Sequence, residues 1–221
     1  MTFSSLVLAA LVGAAFGEPA SPLPQDLLRQ GLAPAGTAYA GRLEVSRSGE
    51  EAAKSLQVFF SPPGRYRREL LSAPGVAAQV FVSDGTREWI FDKKRNKVWV
   101  AEAVDPDLKR LGPEEEYGLL AANYRVRAEP GEKVAGRETW ALELTARAEG
   151  RLSRKLWVDK ERGLILRSEL YSPDGVLLSK TAFTRVEFGG AQDPGLFQFS
   201  PPAKAVVPTA RMSAMRHCSP G

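Results

Sequence analysis

Few residues in this chain could do covalent or metal chemistry. Its 221 residues include one histidine and one cysteine, adjacent at His217 and Cys218. A zinc site needs about four ligands, and a histidine-based nucleophile system needs an imidazole held by folded structure. A pair near the chain end meets neither need, and no disulfide can close within the chain. A bound metal or an intermolecular disulfide is the functional alternative there; a disordered tail is the expectation. Asp84, Asp92, Asp159 and Asp174 each stand beside glycine or lysine in turn sequences, where aspartate ordinarily accepts backbone N–H bonds. No G-x-S-x-G, phosphate-binding glycine loop or H-E-x-x-H occurs. The expectation is a non-catalytic protein with no cofactor and no metal. Thirty Lys and Arg against 26 Asp and Glu leave +4, a small and scattered excess that argues against a nucleic-acid partner. The densest basic cluster is Arg65, Arg67 and Arg68, followed by Lys93, Lys94 and Arg95. Contact with anionic headgroups or an acidic partner is one reading; a charged sheet edge that blocks pairing is the expected one.

What remains is apolar binding, and the elements that would position it are legible. Hydrophobic residues at 43% and charged residues at 25% fit an ordinary folded domain. Residues 1–17 are uncharged and apolar from Phe3 to Phe16, shorter than the ~20 residues of a membrane span. They end in Ala15-Phe16-Gly17, with small residues at −3 and −1 of a cleavage site. A secretory signal cleaved near Gly17 is expected, with a periplasmic chain starting near Glu18. An uncleaved anchor or a buried helix is the alternative.

A short helix is predicted from Pro24 to Gln30, stopped by Gly31. From Ala38 the period is two. Leu43 and Val45 alternate with polar residues, as do Leu56, Val58 and Phe60, then Val80 and Val82, then Trp89 and Phe91. Ser83-Asp84-Gly85-Thr86 and Lys93-Lys94-Arg95-Asn96 are turns between them. Trp140, Leu142 and Leu144 continue the pattern, followed by Leu156 and Val158, by Leu164, Leu166 and Leu170, and by a long strand from Val176 to Phe188. Roughly ten strands in a meander of hairpins are expected, as an antiparallel sheet or barrel. Pro113 with Glu114, Glu115 and Glu116 starts a helix. Tyr117, Leu120, Ala121 and Tyr124 form its apolar stripe, which must lie against the sheet. Trp157 has the opposite parity to Leu156 and Val158, so it faces outward or packs on a loop.

Three stretches, in order and spacing, resemble one superfamily. They are Ser61-Pro62-Pro63-Gly64-Arg65-Tyr66 with Val82-Ser83-Asp84-Gly85 and Trp89; Leu156-Trp157-Val158-Asp159 with Pro173-Asp174-Gly175 and Val186-Glu187-Phe188; and Phe197-Gln198-Phe199-Ser200-Pro201-Pro202. The set is similar to the LolA/LolB lipoprotein carriers and to the N-terminal domain of MucB/RseB envelope-stress regulators. The opening Tyr39-Ala40-Gly41-Arg42-Leu43 is closer to the latter. The resemblance implies a mainly β (α+β) fold: a strongly curved, incompletely closed antiparallel half-barrel over residues 18–207, with two or three helices on the concave side. Residues 208–221 would be a disordered tail, too short for the second domain of MucB/RseB regulators. The helix after Pro113 would correspond to the lid helix of that fold.

The resemblance also implies an apolar inner face that binds lipoprotein acyl chains or other lipid. The candidate lining and lid residues are Leu43, Val45, Leu56, Val58, Phe60, Val80, Val82, Trp89, Phe91, Tyr117, Leu120, Leu142 and Leu144. Pro62 stands where carriers of the superfamily place an arginine that holds the lid shut, so gating by that arginine is not expected. The leading reading is a periplasmic, carrier-like binder of acyl chains. The alternative is a regulatory module that binds the periplasmic segment of a membrane-anchored anti-sigma factor. A third class is a structural envelope protein with a filled core.

Overall fold

The computed structural model describes residues 22–32, 36–102, 113–190 and 192–207. The expected export signal, the tail from 208 and the pair His217–Cys218 lie outside the described residues.

Helix α1 (Pro24–Leu32) begins at its proline and runs past Gly31. The glycine does not stop it. A Cβ at position 31 would lie 3.3 Å from Ile165 and 3.4 Å from Val158, so the missing side chain instead lets the helix settle on the sheet. Six strands follow: β1 (Tyr39–Arg47), β2 (Lys54–Ser61), β3 (Arg65–Ala73), β4 (Val76–Ser83), β5 (Arg87–Asp92) and β6 (Lys97–Glu102). Helix α2 (Pro113–Asn123) has its three glutamates in the first turn, where they face the positive end of the helix dipole. The chain then forms β7 (Tyr124–Val134), β8 (Arg137–Ala146), β9 (Ser153–Asp159), β10 (Ile165–Tyr171) and β11 (Leu177–Phe188), and ends on a short 3-10 turn at Pro194–Phe197.

All eleven strands form one sheet, in the order β6-β5-β4-β3-β2-β1-β11-β10-β9-β8-β7. Every strand pairing is antiparallel. Only the β1–β11 pair joins strands distant in sequence; the others are hairpin neighbours. β6 and β7 are edges, so the sheet is not closed into a barrel. Irregularities at Arg42/Leu43, Leu70/Leu71, Gly131/Val134, Ile165/Arg167 and Leu170/Tyr171 bend the strands and increase their twist. The result is a curved half-barrel in which β7 approaches β11 across three intervening strands. Among the described residues two α-helices occupy its concave side.

The densest basic cluster is not at a sheet edge. β3 lies inside the sheet, between β2 and β4, so the edge-blocking reading of Arg65, Arg67 and Arg68 is corrected. Arg65 donates to Ser61 Oγ at 2.9 Å and stacks on Phe197. Arg67 pairs with Glu69 and donates to the Leu196 carbonyl. These two arginines hold the C-terminal segment against the sheet. The turn role is observed for Asp84 and Asp92. Asp84 accepts from Thr86 N, Thr86 Oγ1 and Arg87 N, each at 2.7 Å, and Asp92 accepts from Arg95 N at 3.0 Å.

Gly41 is buried at a tight point of the β1–β11 pairing. A Cβ there would stand 2.5 Å from the Arg185 carbonyl oxygen and 3.0 Å from the Phe183 ring, and backbone cannot swing aside as a flexible side chain can. Gly41→Ala is therefore expected to destabilise the chain by roughly 1–3 kcal/mol, read from the urea midpoint at unchanged slope. A change within a few tenths of a kcal/mol would show that the close approach is not real.

Glu169 is 4% exposed. Its carboxylate accepts from the Tyr171 hydroxyl and from Arg167, at 2.9 and 2.5 Å for the latter. Burial pushes the carboxyl up, but those hydrogen bonds hold it below the usual range. The same bond to Glu169, with burial, pushes the Tyr171 hydroxyl up to about 12. Glu169 thus contributes stability above the ordinary carboxylate pKa, and that contribution is lost as pH falls through its lowered folded value. Tyr171 contributes fully below pH of about 10, and its contribution is lost as pH rises toward 12. Glu169→Gln should flatten the acid limb of a stability–pH curve, and Tyr171→Phe the alkaline limb. Limbs identical to the parent chain would contradict the pairing.

Candidate binding site

Strand register decides which expected lining residues share a face. Gly41, Val58, Arg68, Phe81, Ile90 and Trp99 stand directly opposite one another across β1 to β6. Side chains alternate along each strand, so Leu43, Val45, Leu56, Val58 and Phe60 lie on the face of this row. Val45 pairs with Thr181, Thr181 with Ser168, Ser168 with Leu156 and Leu156 with Leu142. Leu142 and Leu144 therefore follow Val45 at this level of the sheet, whereas across the bulges Val58, with Leu43 and Leu56 against it, is buried in a separate core with Ala141, Trp157, Leu166 and Phe183. The Leu142 and Leu144 face carries the helices. Leu27 and Leu28 of α1 are buried with Leu142, Leu144, Leu156 and Val158, and Tyr117 and Leu120 of α2 pack against that cluster. Tyr124 joins it as the first residue of β7 rather than as the last of the helix.

Val80, Val82, Trp89 and Phe91 are placed elsewhere. Val80 and Val82 flank Phe81, and Trp89 and Phe91 flank Ile90, so all four point to the opposite, convex face. They form a core there with Ala77 and Val98, and Phe199 and Ala205 pack on it. Phe199 lies 6.4 Å from Trp89 and 5.8 Å from Phe91, ring to ring. Phe197 is buried beside this segment, and Val98 N donates to the Val206 carbonyl at 2.9 Å. A C-terminal strap thus fills the convex side of β3–β6 with the chain's own side chains.

The concave residues of β4–β6 are Phe81, Ile90 and Trp99, absent from the expected lining. Their signal was present in the sequence. Val80-Phe81-Val82, Trp89-Ile90-Phe91 and Val98-Trp99-Val100 are continuous apolar runs, the pattern of strands buried on both faces. An alternating reading selects one parity and loses the other. Tyr39 and Phe183 also belong to the concave surface; the Tyr39 ring is 5.2 Å from Phe60 and 6.0 Å from Phe183.

The concave face has two halves. Over β7–β9 it is covered, because α1 and α2 pack on each other and on that end. Arg29 joins the two helices, 3.0 Å from Glu114 and 4.2 Å from the Tyr117 ring centre. Over β2–β6, Leu56, Phe60, Leu70, Phe81, Ile90 and Trp99 are half-buried. This stretch is an apolar surface with two cations on it, Arg68 and Lys97, the latter 5.1 Å over the Trp99 ring. Arg68 is exposed, its guanidinium lies 4.7 Å over the Tyr66 ring, and its charge opposes the upward push of burial on the Tyr39 hydroxyl. Trp157 neither faces outward nor packs on a loop: it is 4% exposed, in one core with Val58, Ala141, Leu166 and Phe183, with Arg167 4.0 Å over its ring.

Two recesses lie outside this groove. One of about 430 Å3 sits on the convex side between β1, β2 and β11, lined by Ala40, Arg42, Gln57, Phe59, Arg185 and Glu187 among others. One of about 340 Å3 lies at the end of α2, lined by Leu119, Leu120, Asn123, Tyr124, Ala146, Ala148 and Arg151. Of the expected site residues, Leu120 borders the latter. Among the described residues no helix is long and apolar enough to cross a membrane.

Comparison with known proteins agrees with this geometry. A family model described as the MucB/RseB N-terminal domain matches residues 48–210, a span that takes in β2 through β11. The sigma factor AlgU regulatory protein MucB of Pseudomonas aeruginosa is 26% identical over 170 residues, covering 77% of this chain and 52% of its own. The chain therefore spans about half the length of this curated relative. A crystal structure of MucB superposes with a TM-score of 0.60 at 22% identity, over 80% of this chain and 62% of that one. The Pseudomonas aeruginosa MucA/MucB complex gives 0.57 at 23%, over 80% and 61%. A conserved protein from Thermus thermophilus gives 0.56 at 16%, over 83% and 96%.

Proposed function

This chain belongs to the MucB/RseB N-terminal domain family, and from that premise we propose that it is a non-catalytic binding module of the periplasm that holds a segment of a membrane-anchored anti-sigma factor. Family membership over residues 48–210 is the observation that carries the reading. It is supported by the relative's role as a sigma-factor regulatory protein and by the MucA/MucB complex. Export through residues 1–17 is part of the same proposal.

The concave surface of β2–β6 is the proposed seat of the guest. Transferring apolar side chains onto Phe81, Ile90 and Trp99 is favourable by roughly 25 cal/mol per Å2 removed from water, with little directional demand. Arg68 adds a preference for a guest with negative charge nearby. The experiment is calorimetric titration of the chain with the periplasmic segment of an anti-sigma factor from the same genome. Binding is expected, weakened at least tenfold by Phe81→Asp and untouched by Lys94→Glu in an exposed turn. No heat with any such segment would sink the regulatory reading.

A second reading, an acyl-chain site, draws its support from the same half-buried aromatic surface. Each buried methylene contributes about 0.8 kcal/mol, so a fluorescent fatty acid displaced by a lipopeptide would favour it. Absence of probe binding would remove it.

A further inference from the structure

We infer that the end of the sheet beside the last turn of α2 is a docking surface for an acidic, extended polypeptide segment carrying an apolar side chain. The inference deepens the proposed function and rests on it for the partner being a polypeptide.

Five arginines meet at this end. Arg125 and Arg127 are on β7, Arg147 and Arg151 are in the β8–β9 connection, and Arg154 is on β9. Pairing brings them to one end but not to one face: Arg154 shares the face of Leu144 and Val126, Arg125 and Arg127 lie on the other, with Arg127 opposite Glu143, and Arg147 N donates to the Asn123 carbonyl. All five are exposed, and among the described residues none forms an ion pair. Arg29, Arg67, Arg137 and Arg167 by contrast have carboxylate partners, and the other described arginines without an ion pair are not gathered at one end of the sheet in this way. Five arginines against Glu143 and Glu149 leave a local positive excess, which favours an acidic partner.

An apolar recess lies beside them. Leu119 and Leu120 with Tyr124 line the space of about 340 Å3, and Arg151 stands at its wall. Leu119 is 51% exposed and Leu152, beside Arg151, 40%. A single apolar side chain from a flexible segment can enter such a recess, whereas a flat bilayer surface cannot fill it.

β7 is also an edge of the sheet, so the backbone groups on its outer side have no strand partner. An added strand could pair there, with carboxylates at alternate positions beside Arg125 and Arg127. Charge on an edge also serves to block self-pairing. That role covers Arg125 and Arg127 but not Arg147, Arg151 or Arg154, which are off the edge strand. A basic edge rejects a copy of itself and admits an acidic strand.

The test uses the full chain and a fluorescent peptide of alternating glutamate and leucine, its glutamine counterpart, and phosphatidylglycerol vesicles. Expected is binding of the acidic peptide that weakens with added salt, falls about tenfold in R147E/R151E and survives in R147K/R151K. Circular dichroism of each variant should match the parent, because both positions are exposed. Equal binding of the glutamine peptide, or unchanged binding in R147E/R151E, overturns the inference. Vesicle binding lost in that variant, without peptide binding, overturns it in favour of a membrane surface. An anti-sigma segment that binds parent and R147E/R151E alike defeats this surface and leaves the proposed function standing. A segment that binds neither defeats the proposed function itself.

Discussion

Arg137→Ala is expected to cost about 3 kcal/mol or more of folding stability, among the largest effects of any single replacement in the chain. Asp159 is 1% exposed. Its carboxylate takes both the Nε and an Nη hydrogen of Arg137 and also caps the following turn through Glu161 N and Arg162 N, at 3.1 and 2.6 Å. The guanidinium also pairs with Glu161 and lies 4.7 Å over the Phe188 ring. The carboxylate bonds hold the Arg137 proton far more firmly than usual. Removing the guanidinium leaves a buried anion with only backbone donors, and burying an unpaired charge is what makes breaking such a pair expensive. Arg137→Lys keeps the charge but loses the two-pronged geometry, so it should recover only part of the loss. Urea unfolding monitored by tryptophan fluorescence measures both. A loss under about 1 kcal/mol for the alanine variant would place the pair among solvated surface bridges.

Leu28→Ala is expected to cost about 3 kcal/mol, the range for a fully buried leucine whose cavity cannot collapse. Leu28 is 0% exposed and sits among Leu142, Leu144, Leu156 and Val158. The consequence reaches beyond α1. α2 has no buried residue of its own and is held by half-buried Tyr117 and Leu120 and by Arg29 of α1. Hydrogen exchange should therefore quicken in both helices, with the amides of β1–β6 unaffected. Uniform acceleration across the sheet would mean that the helices are not a separable cover.

The meander was legible because its signal is local. Period-two alternation in Leu43 and Val45, or in Trp140, Leu142 and Leu144, and Asp-Gly turns such as Asp84-Gly85 fix strands and hairpins without any knowledge of the partner. Face assignment was not local. Val58 and Val80 look equivalent as alternating residues, yet the chain of pairings from β2 through β3 to β4 sets them on opposite faces. A one-residue difference in register inverts a whole strand, and only the assembled sheet resolves it. The strap is a further case. Phe197 and Phe199 carry an alternation of their own, but nothing nearby says that they close over Val80, Val82 and Phe91. Arg65 and Arg67 read as an edge because their use, stacking on Phe197 and binding the Leu196 carbonyl, comes from residues far along the chain.

Half-barrel curvature gives these placements their functional weight. α1 and α2 cover one end of the concave face, the strap covers the convex side of β3–β6, and Phe81, Ile90 and Trp99 remain half-buried between them. Asp84, Asp92 and Asp159 are committed to turns and bonded to backbone donors. Such an arrangement suits the proposed holding of a guest by burial.

Native mass spectrometry of the protein purified gently from its own cell envelope tests that account most directly. It predicts the chain together with a bound polypeptide, and loss of that added mass in Phe81→Asp. The bare chain alone, in parent and variant alike, would contradict it.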